Sequence, residues 1–312
     1  MSVSFKTARA RANNVTVMDD RFAAGREFLL RQGRLLDRRL FATCFESAPG
    51  SGVVNALRAY ANDDGGFGHG LEPDKRCPAS LPIDVEVALQ TMAAAQSADL
   101  ALVRSACDYL AKVAAGADCQ GAVPLAFPVI EAYPRAAHWT EWTYQPGLNP
   151  TAGLAGLLYQ LRVNHPWIGA AARYCWDQLD GADLPADAHA LSEVMVFLEH
   201  VPERDRASLM AARVRERLAE ASMFLLDPDD TSYGLTPLSI APFADSRWRS
   251  LFADEVMQAH LNRAERDQQP DGGWPIAWEP PSEAALLDWR GIVTLQKLRT
   301  LVSYGRLDAR MP

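Results

Sequence analysis

Apolar residues recur along the chain with the spacing of helices, and the strict alternation typical of strands is hard to find. Short polar or glycine-containing turns separate one apolar segment from the next. This pattern predicts an all-α protein with more than half of its residues in helices and almost no strand. The predicted helices span residues 21–36, 37–46, 53–62, 82–96, 100–114, 151–163, 166–179, 187–200, 203–223, 252–267 and 290–304.

The predicted helices are of two kinds. Residues 82–96 and 187–200 are apolar around most of the helix circumference, which is typical of a helix buried on several sides. Residues 203–223 and 252–267 carry charged side chains along one side, which is typical of a helix with one solvent face. We therefore expect inner and outer helices, with inner helices that begin near Pro82, Pro150, Asp187 and Trp289.

Two short repeats support this order. The tetrapeptide DGGF at Asp64 returns as DGGW at Asp271, each time after a predicted outer helix, and GLEP, GLNP and GLTP begin at Gly70, Gly147 and Gly234. About six helical hairpins of roughly 50 residues each predict an α/α toroid, with a ring of inner helices inside a ring of outer ones. Residues 20–312 would form this single domain, and residues 1–19 a flexible N-terminal segment.

In such a toroid the loops that lead from outer to inner helices gather at one end. These loops are residues 63–84, 138–150, 226–242 and 271–289. Loops held by a rigid scaffold are where binding and catalytic residues concentrate. We therefore expect the functional site at this end.

Charge and composition limit the kinds of partner that the protein is expected to bind. A net charge of −8 and a pI near 5.3 argue against nucleic acid or an anionic membrane as the main partner. No run of about 18 apolar residues is present, so no transmembrane segment is expected. The five cysteines form no CxxC pair, which favours reduced thiols and a cytoplasmic location. The expected partner is a small molecule, and the oligomeric state is left open.

An acidic, glycine-rich loop, NDDGGFGHGLEPDKRCPASLPIDVE, is the most conspicuous stretch of the chain. Proline residues stiffen it, so its carboxylates can be held close together, and crowded carboxylates raise the pKa of one another. The simpler alternative is a solvated loop with carboxylates at a helix start. The candidate acid/base residues are Glu72, Asp74, Asp84 and Glu86.

The stretch QPDGGW at Gln269–Trp274 resembles the repeat motif of the terpene cyclase and prenyltransferase superfamily, which includes squalene-hopene cyclase, and NDDGGFG at Asn62 resembles it more weakly. The resemblance implies an α/α toroid, an apolar central cavity and isoprenoid substrates. Toroids of related shape also serve as glycosidases and polysaccharide lyases.

Class II cyclases of this superfamily, which act as isomerases or lyases, carry a DxDD motif whose central aspartate protonates the substrate. Asp227–Asp230 resembles the motif literally, with Asp229 at the centre. Residues 84–87 resemble it in part, with Glu86 at the centre and the better setting at an apolar helix start. We expect the acidic loop, rather than Asp229, to supply the more important groups, because water should keep Asp229 ionised.

Zinc-binding prenyltransferases imply an aspartate, a cysteine and a histidine as ligands. Asp74 and Cys77 stand at the wrong spacing for that site, so neither a metal nor another cofactor is expected. Aromatic residues of the loops are either packing anchors or substrate contacts, since their faces can stabilise a cation or stack on a sugar ring. The candidate substrate-binding residues are His69, Trp139, Trp142, Tyr144, Trp278 and Trp289.

Three functions remain open on the sequence. The first is a terpene cyclase-like enzyme that protonates an isoprenoid in a central cavity. The second is a carbohydrate-active hydrolase or lyase, which needs two carboxylates across one bond and would use Glu72, Asp74 or Glu86. The third is a toroid without catalysis that binds a small molecule or a protein.

Overall fold

A computed structural model describes residues 21–116, 120–181 and 183–309. The predicted flexible segment 1–19 lies outside these residues. Helices make up 59% of the structure, and the described residues contain isolated β-bridges but no strand, which confirms the all-α prediction. The helices are α1 (21–32), α2 (Leu35–Phe45), α3 (Ser51–Leu57), α4 (Pro82–Ala94), α5 (Leu100–Gly116), α6 (Leu148–Gln160), α7 (Pro166–Leu179), α8 (Ala188–His200), α9 (Arg204–Leu218), α10 (Pro237–Ile240), α11 (Asp254–Arg266) and α12 (Glu283–Ser303).

Most predicted helix starts are confirmed. Pro82 opens α4, and Asp187 caps α8 by accepting a hydrogen bond from Ala190 N (2.9 Å). Asn149 keeps a non-helical backbone, so regular turns of α6 start at Pro150.

Two predicted loops contain helix. α12 begins at Glu283 rather than near Trp289, because Ser282 caps it through Ala285 N (3.2 Å) and places Trp289 inside the helix. The predicted loop 225–242 contains the short α10, which starts at Pro237 after a capping box of Thr236 and Ser239. In both places capping residues start a helix inside a segment whose composition had predicted a loop.

The centre of the packing is the row α4, α6 and α8, in which α6 lies against both of the others. Residues 150–158 of α6 are all buried, as an inner helix requires. A Cβ on Gly156 would lie only 2.6 Å from Val196 O of α8, so glycine is needed for the close approach of the two backbones. The small residues of α6 therefore set the distance to its neighbour.

Other helices complete the arrangement. α8 also contacts α10, and α12 contacts α2, while α9 and α11 bury one side and expose their charged side, as predicted. Within the described residues, no helix is both long enough and apolar enough to cross a membrane.

The two DGG repeats fold into the same turn. Gly65 and Gly272 both have positive φ (94° and 90°), a conformation that favours glycine. In each turn the aspartate accepts a hydrogen bond from the second glycine: Gly66 N to Asp64 Oδ1 (2.9 Å) and Gly273 N to Asp271 Oδ1 (3.1 Å). The aromatic residue that follows is buried in both, Phe67 at 0% exposure and Trp274 at 1%.

Each DGG turn lies against another odd-numbered helix: the turn after α3 against α5, and the turn after α11 against α1. A Cβ on Gly65, after α3, would lie 2.6 Å from Ser105 O of α5, and one on Gly272, after α11, would overlap Ala24 O of α1. Gly121, after α5, repeats the arrangement with φ 108° and a Cβ position 2.7 Å from the carbonyl carbon of Ala170 in α7. Each of these glycines lets the loop after one odd-numbered helix lie against another odd-numbered helix.

Candidate active site

Side-chain hydrogen bonds fix the first half of the acidic loop. Asn62 Nδ2 donates to Ser80 Oγ (3.0 Å), and Ser80 Oγ donates to Asp64 Oδ1 (2.6 Å). His69 Nε2 lies 2.9 Å from Asn62 Oδ1, and the His69 residue is exposed with a positive φ of 58°. His69, a predicted substrate contact, is thus one of the residues whose hydrogen bonds fix the loop.

Asp74 is the meeting point of three aromatic rings. Its Oδ1 accepts hydrogen bonds from Trp278 Nε1 (3.1 Å) and Trp289 Nε1 (2.7 Å), and its Oδ2 lies 3.2 Å from His138 Nε2. Burial acts to raise the pKa of Asp74, but the three ring N–H groups outweigh burial and lower it. Asp74 is therefore a fixed, ionised carboxylate.

The rings continue from Asp74 towards α8. Trp289 and Trp278 pack edge to face with centroids 5.0 Å apart, and Tyr233 packs on Trp278 in the same way at 5.5 Å. Tyr233 OH in turn lies 2.8 Å from His189 Nε2 on α8. The loops that begin near residues 63, 120, 222 and 271 thus contribute to one cluster, which we call the mouth cluster: Asp74, His138, His189, Tyr233, Trp278 and Trp289.

The mouth cluster contains two oriented histidines. His138 has a side chain 49% exposed, and since Asp74 occupies Nε2, Nδ1 is the nitrogen left for a ligand. Burial lowers the pKa of His189, which favours the neutral ring beside Tyr233. An exposed imidazole held by a carboxylate is suited to accept or donate a proton.

Behind Asp74 lies a fully buried lysine. Lys75 Nζ is 2.6 Å from Glu72 Oε2 and 3.8 Å from Asp84 Oδ2, and it stands 4.5 Å from the centre of the Trp139 ring. Burial raises the pKa of Glu72 to about 7, with Lys75 opposing the rise, and burial likewise raises the pKa of Asp84. Glu72 and Asp84 are therefore buried beside Lys75, and the buried Trp139 ring packs on the same lysine.

A second carboxyl pair lies between α4 and α8. Glu86 of α4 and Glu193 of α8 bring their carboxyl groups together beside Gly153 of α6, where a Cβ would lie 1.8 Å from Glu193 Oε2 and 2.4 Å from Glu86 Oε1. Burial raises the pKa of Glu86 well above its usual range and Glu193 raises it further; burial also raises the pKa of Glu193. Two carboxyl groups in contact share a proton, because two adjacent buried anions repel each other.

The remaining predicted residues lie elsewhere. Asp229 is on an exposed turn, where its side chain is 79% exposed and lies 3.3 Å from Arg266 Nη2. Trp142 is 57% exposed and donates to His138 O (2.8 Å), and Tyr144 OH donates to Glu131 Oε1 (3.0 Å). The structure thus brings Asp74, Trp278 and Trp289 together, places Glu86 in the carboxyl pair, and leaves Asp229 in solvent.

Comparison of the chain with protein-family models and with curated proteins gives no match. The described residues also contain no group of three or more side chains able to hold a metal ion.

Sequence reasoning missed His138, His189, Tyr233 and Glu193. Glu193 had a usable signal, since it is an ionisable residue within the apolar segment 187–200. The other three stand in loops or at a helix start, where a polar residue is ordinary.

Proposed function

We propose that the helices form an α/α toroid with the even-numbered helices inside. The contacts of α4 with α6, α6 with α8, α8 with α10, and α12 with α2 support this order. The positive-φ glycines at the ends of α3, α5 and α11 support an outer ring, since each lies against the next odd-numbered helix. The contact of Gly272 with Ala24 would close that ring between α11 and α1.

On this scaffold we propose a terpene cyclase-like enzyme whose acid is the Glu86–Glu193 pair. The observation that carries the proposal is the close approach of the buried Glu86 and the half-buried Glu193 carboxyl groups at Gly153 of α6. A carboxylic acid in such a site stays protonated at a pH at which an exposed one is ionised. Glu86 is also the central residue of the partial DxDD resemblance.

The proposed reaction begins with proton transfer to a carbon–carbon double bond. The π electrons form the new C–H bond, the O–H bond electrons remain on the carboxyl oxygen, and a carbocation results at the neighbouring carbon. Glu86 and Glu193 must both be protonated before this step. One of them donates its proton to the substrate, and the carboxylate that forms is stabilised by the proton that remains on the other. The rate should therefore rise as the pH falls.

The mouth cluster supplies the groups that a carbocation needs. The faces of Trp278, Trp289 and Tyr233 attract a cation. Asp74 holds His138 as a base that can take the final proton from the carbon next to the cation, whose C–H electrons then form the product double bond. In the described part of the mouth, Lys75 and Arg76 are paired with Glu72 and Asp288, which favours a hydrocarbon substrate over a diphosphate.

The test is turnover of isoprenoids, with squalene and geranylgeranyl diphosphate as probes and gas chromatography with mass spectrometry as the readout. Glu86→Gln and Glu193→Gln should each lower kcat by roughly a hundredfold or more, as loss of a general acid does. Asp229→Asn, compared at matched melting temperature, should leave kcat unchanged. Loss of activity in Asp229→Asn alone would assign the acid to the literal DxDD instead.

A carbohydrate-active enzyme is the second candidate, favoured by the exposed polar edge of the mouth cluster, where His138 and Tyr233 stand beside tryptophan rings. Ring faces beside hydrogen-bonding groups suit a sugar. Oligosaccharides that quench tryptophan fluorescence, with loss of the effect in Trp278→Ala, would support this function. If neither probe class is turned over or bound, the site is not an acid/base enzyme of either kind.

A further inference from the structure

A cavity of about 350 Å³ lies between the C-terminal ends of α2, α4 and α12. It is at the opposite end of α4 from the acidic loop, so it is distinct from the candidate active site. Its walls include Cys44, Phe45, Ala95, Phe243, Arg299 and Ser303. Its volume is at the low end of the range for ligand pockets, which suits a small molecule.

Arg299 is the charged group of this cavity. Its guanidinium stacks 5.0 Å from the centre of the Phe243 ring, and it makes no hydrogen bond or ion pair with any described residue. By contrast, Arg290 on the same helix is bonded at both terminal nitrogens to Asp271. Arg299 is partly buried, so its donors are only partly served by water.

The hydroxyl of Ser303 adds a second donor. Ser303 Oγ accepts a hydrogen bond from Ala244 N (3.0 Å), which leaves its own hydrogen to be donated. Thr43 is already engaged, since its hydroxyl donates to Arg39 O (3.0 Å). The remaining walls are rings and small apolar side chains.

We propose that this cavity binds a small organic carboxylate with a short apolar arm. The planar fork of a guanidinium matches the two oxygens of a carboxylate. The apolar arm would lie against Phe45, Phe243 and the alanines at the end of α4. The proposal is independent of the chemistry at the acidic loop.

Cys44 provides a reporter inside the cavity. It is free and partly exposed, whereas Cys77, Cys107 and Cys175 are buried; Cys119 lies outside the described residues. Alkylation of Cys44 by iodoacetamide can be followed by peptide mass spectrometry with phenylbutyrate present, and with its neutral analogue phenylbutyramide. Phenylbutyrate at ten times its Kd should slow alkylation about tenfold, as simple occupancy predicts, and the amide at the same concentration should have little effect.

Arg299→Gln should raise the Kd for phenylbutyrate roughly tenfold or more, because a charge-assisted hydrogen-bond pair is lost, so the protection at the same concentration should fall from about tenfold to about twofold or less. Arg215→Gln, which removes the same charge from an exposed site on α9, is the matched control and should protect like the wild type. Burial raises the pKa of Cys44 and Arg299 opposes that rise, so Arg299→Gln also changes the reactivity of the thiol. Protection is therefore expressed as the ratio of the alkylation rates with and without ligand in the same variant.

Equal protection by the amide, full protection in Arg299→Gln, or no protection by phenylbutyrate in the wild type would each overturn the proposal. If Arg299→Gln does not fold, the comparison of carboxylate with amide in the wild-type protein decides it.

Discussion

Glu86 of α4 and Glu193 of α8 bring their carboxyl groups together where α6 carries Gly153. A side chain at position 153 would occupy the space of both carboxyl groups. The contact therefore depends on three helices at once.

Replacing Glu86 with glutamine should change the pH dependence of stability. Folding raises the pKa of Glu86 above 4.5, so the folded state binds the proton more tightly, and the free energy of unfolding falls as the pH rises above that value. Glutamine has nearly the same shape as glutamate and carries no charge. Relative to wild type, Glu86→Gln should gain about 1–3 kcal/mol at about pH 8 and much less at about pH 5. Thermal melts across pH measure this, and parallel wild-type and variant curves would contradict it.

Gly153→Ala should be strongly destabilising. The added methyl group would overlap Glu193 and Glu86, and overpacking of a core costs about 1–3 kcal/mol or more. Gly116→Ala is the matched control, because none of the described residues lies within 4 Å of a Cβ there, and it should be neutral or stabilising by up to about 1 kcal/mol. Urea denaturation of both variants makes the comparison. A neutral Gly153→Ala would show that the two carboxyl groups do not meet at α6.

Trp274→Ala should cost about 3–5 kcal/mol, as truncation of a buried aromatic residue does. Trp274 is 1% exposed and donates from Nε1 to Ala264 O (2.7 Å), so both packing and a buried hydrogen bond are lost. Trp142→Ala is the control, since that ring is 57% exposed. Loss of function in Trp274→Ala at an unchanged melting temperature would instead make Trp274 a ligand contact.

Lys75→Met should be among the most damaging substitutions in the acidic loop. It leaves Glu72 and Asp84 buried without their cation, and breaking a buried pair costs about 3–5 kcal/mol. The loss should be larger at about pH 8 than at about pH 5, because the carboxyl groups can be neutralised only by binding protons. The double variant Lys75→Met/Glu72→Gln should recover part of the stability in a double-mutant cycle, and no recovery would mean that Lys75 acts through packing on Trp139 instead.

The sequence by itself determined the helical class, the order of the helices and the two buried DGG-aromatic turns. These features depend on local periodicity, on capping residues and on glycine at positive φ, all of which are written within a few residues of the chain. It also singled out Asp74, Trp278 and Trp289. It misplaced the start of α12, because a serine cap competed with an aromatic-rich segment that looked irregular.

Only the tertiary structure decided which of these residues meet. Trp278 and Trp289 bond to Asp74 across more than 200 positions of the chain, and no periodicity relates residues so far apart. No periodicity relates Glu86 and Glu193 either, because their contact depends on how closely α4 and α8 approach at a glycine of α6. Burial then separated the three carboxylic acids: Asp229 lies in solvent, while burial raises the pKa of Glu86 and of Glu193.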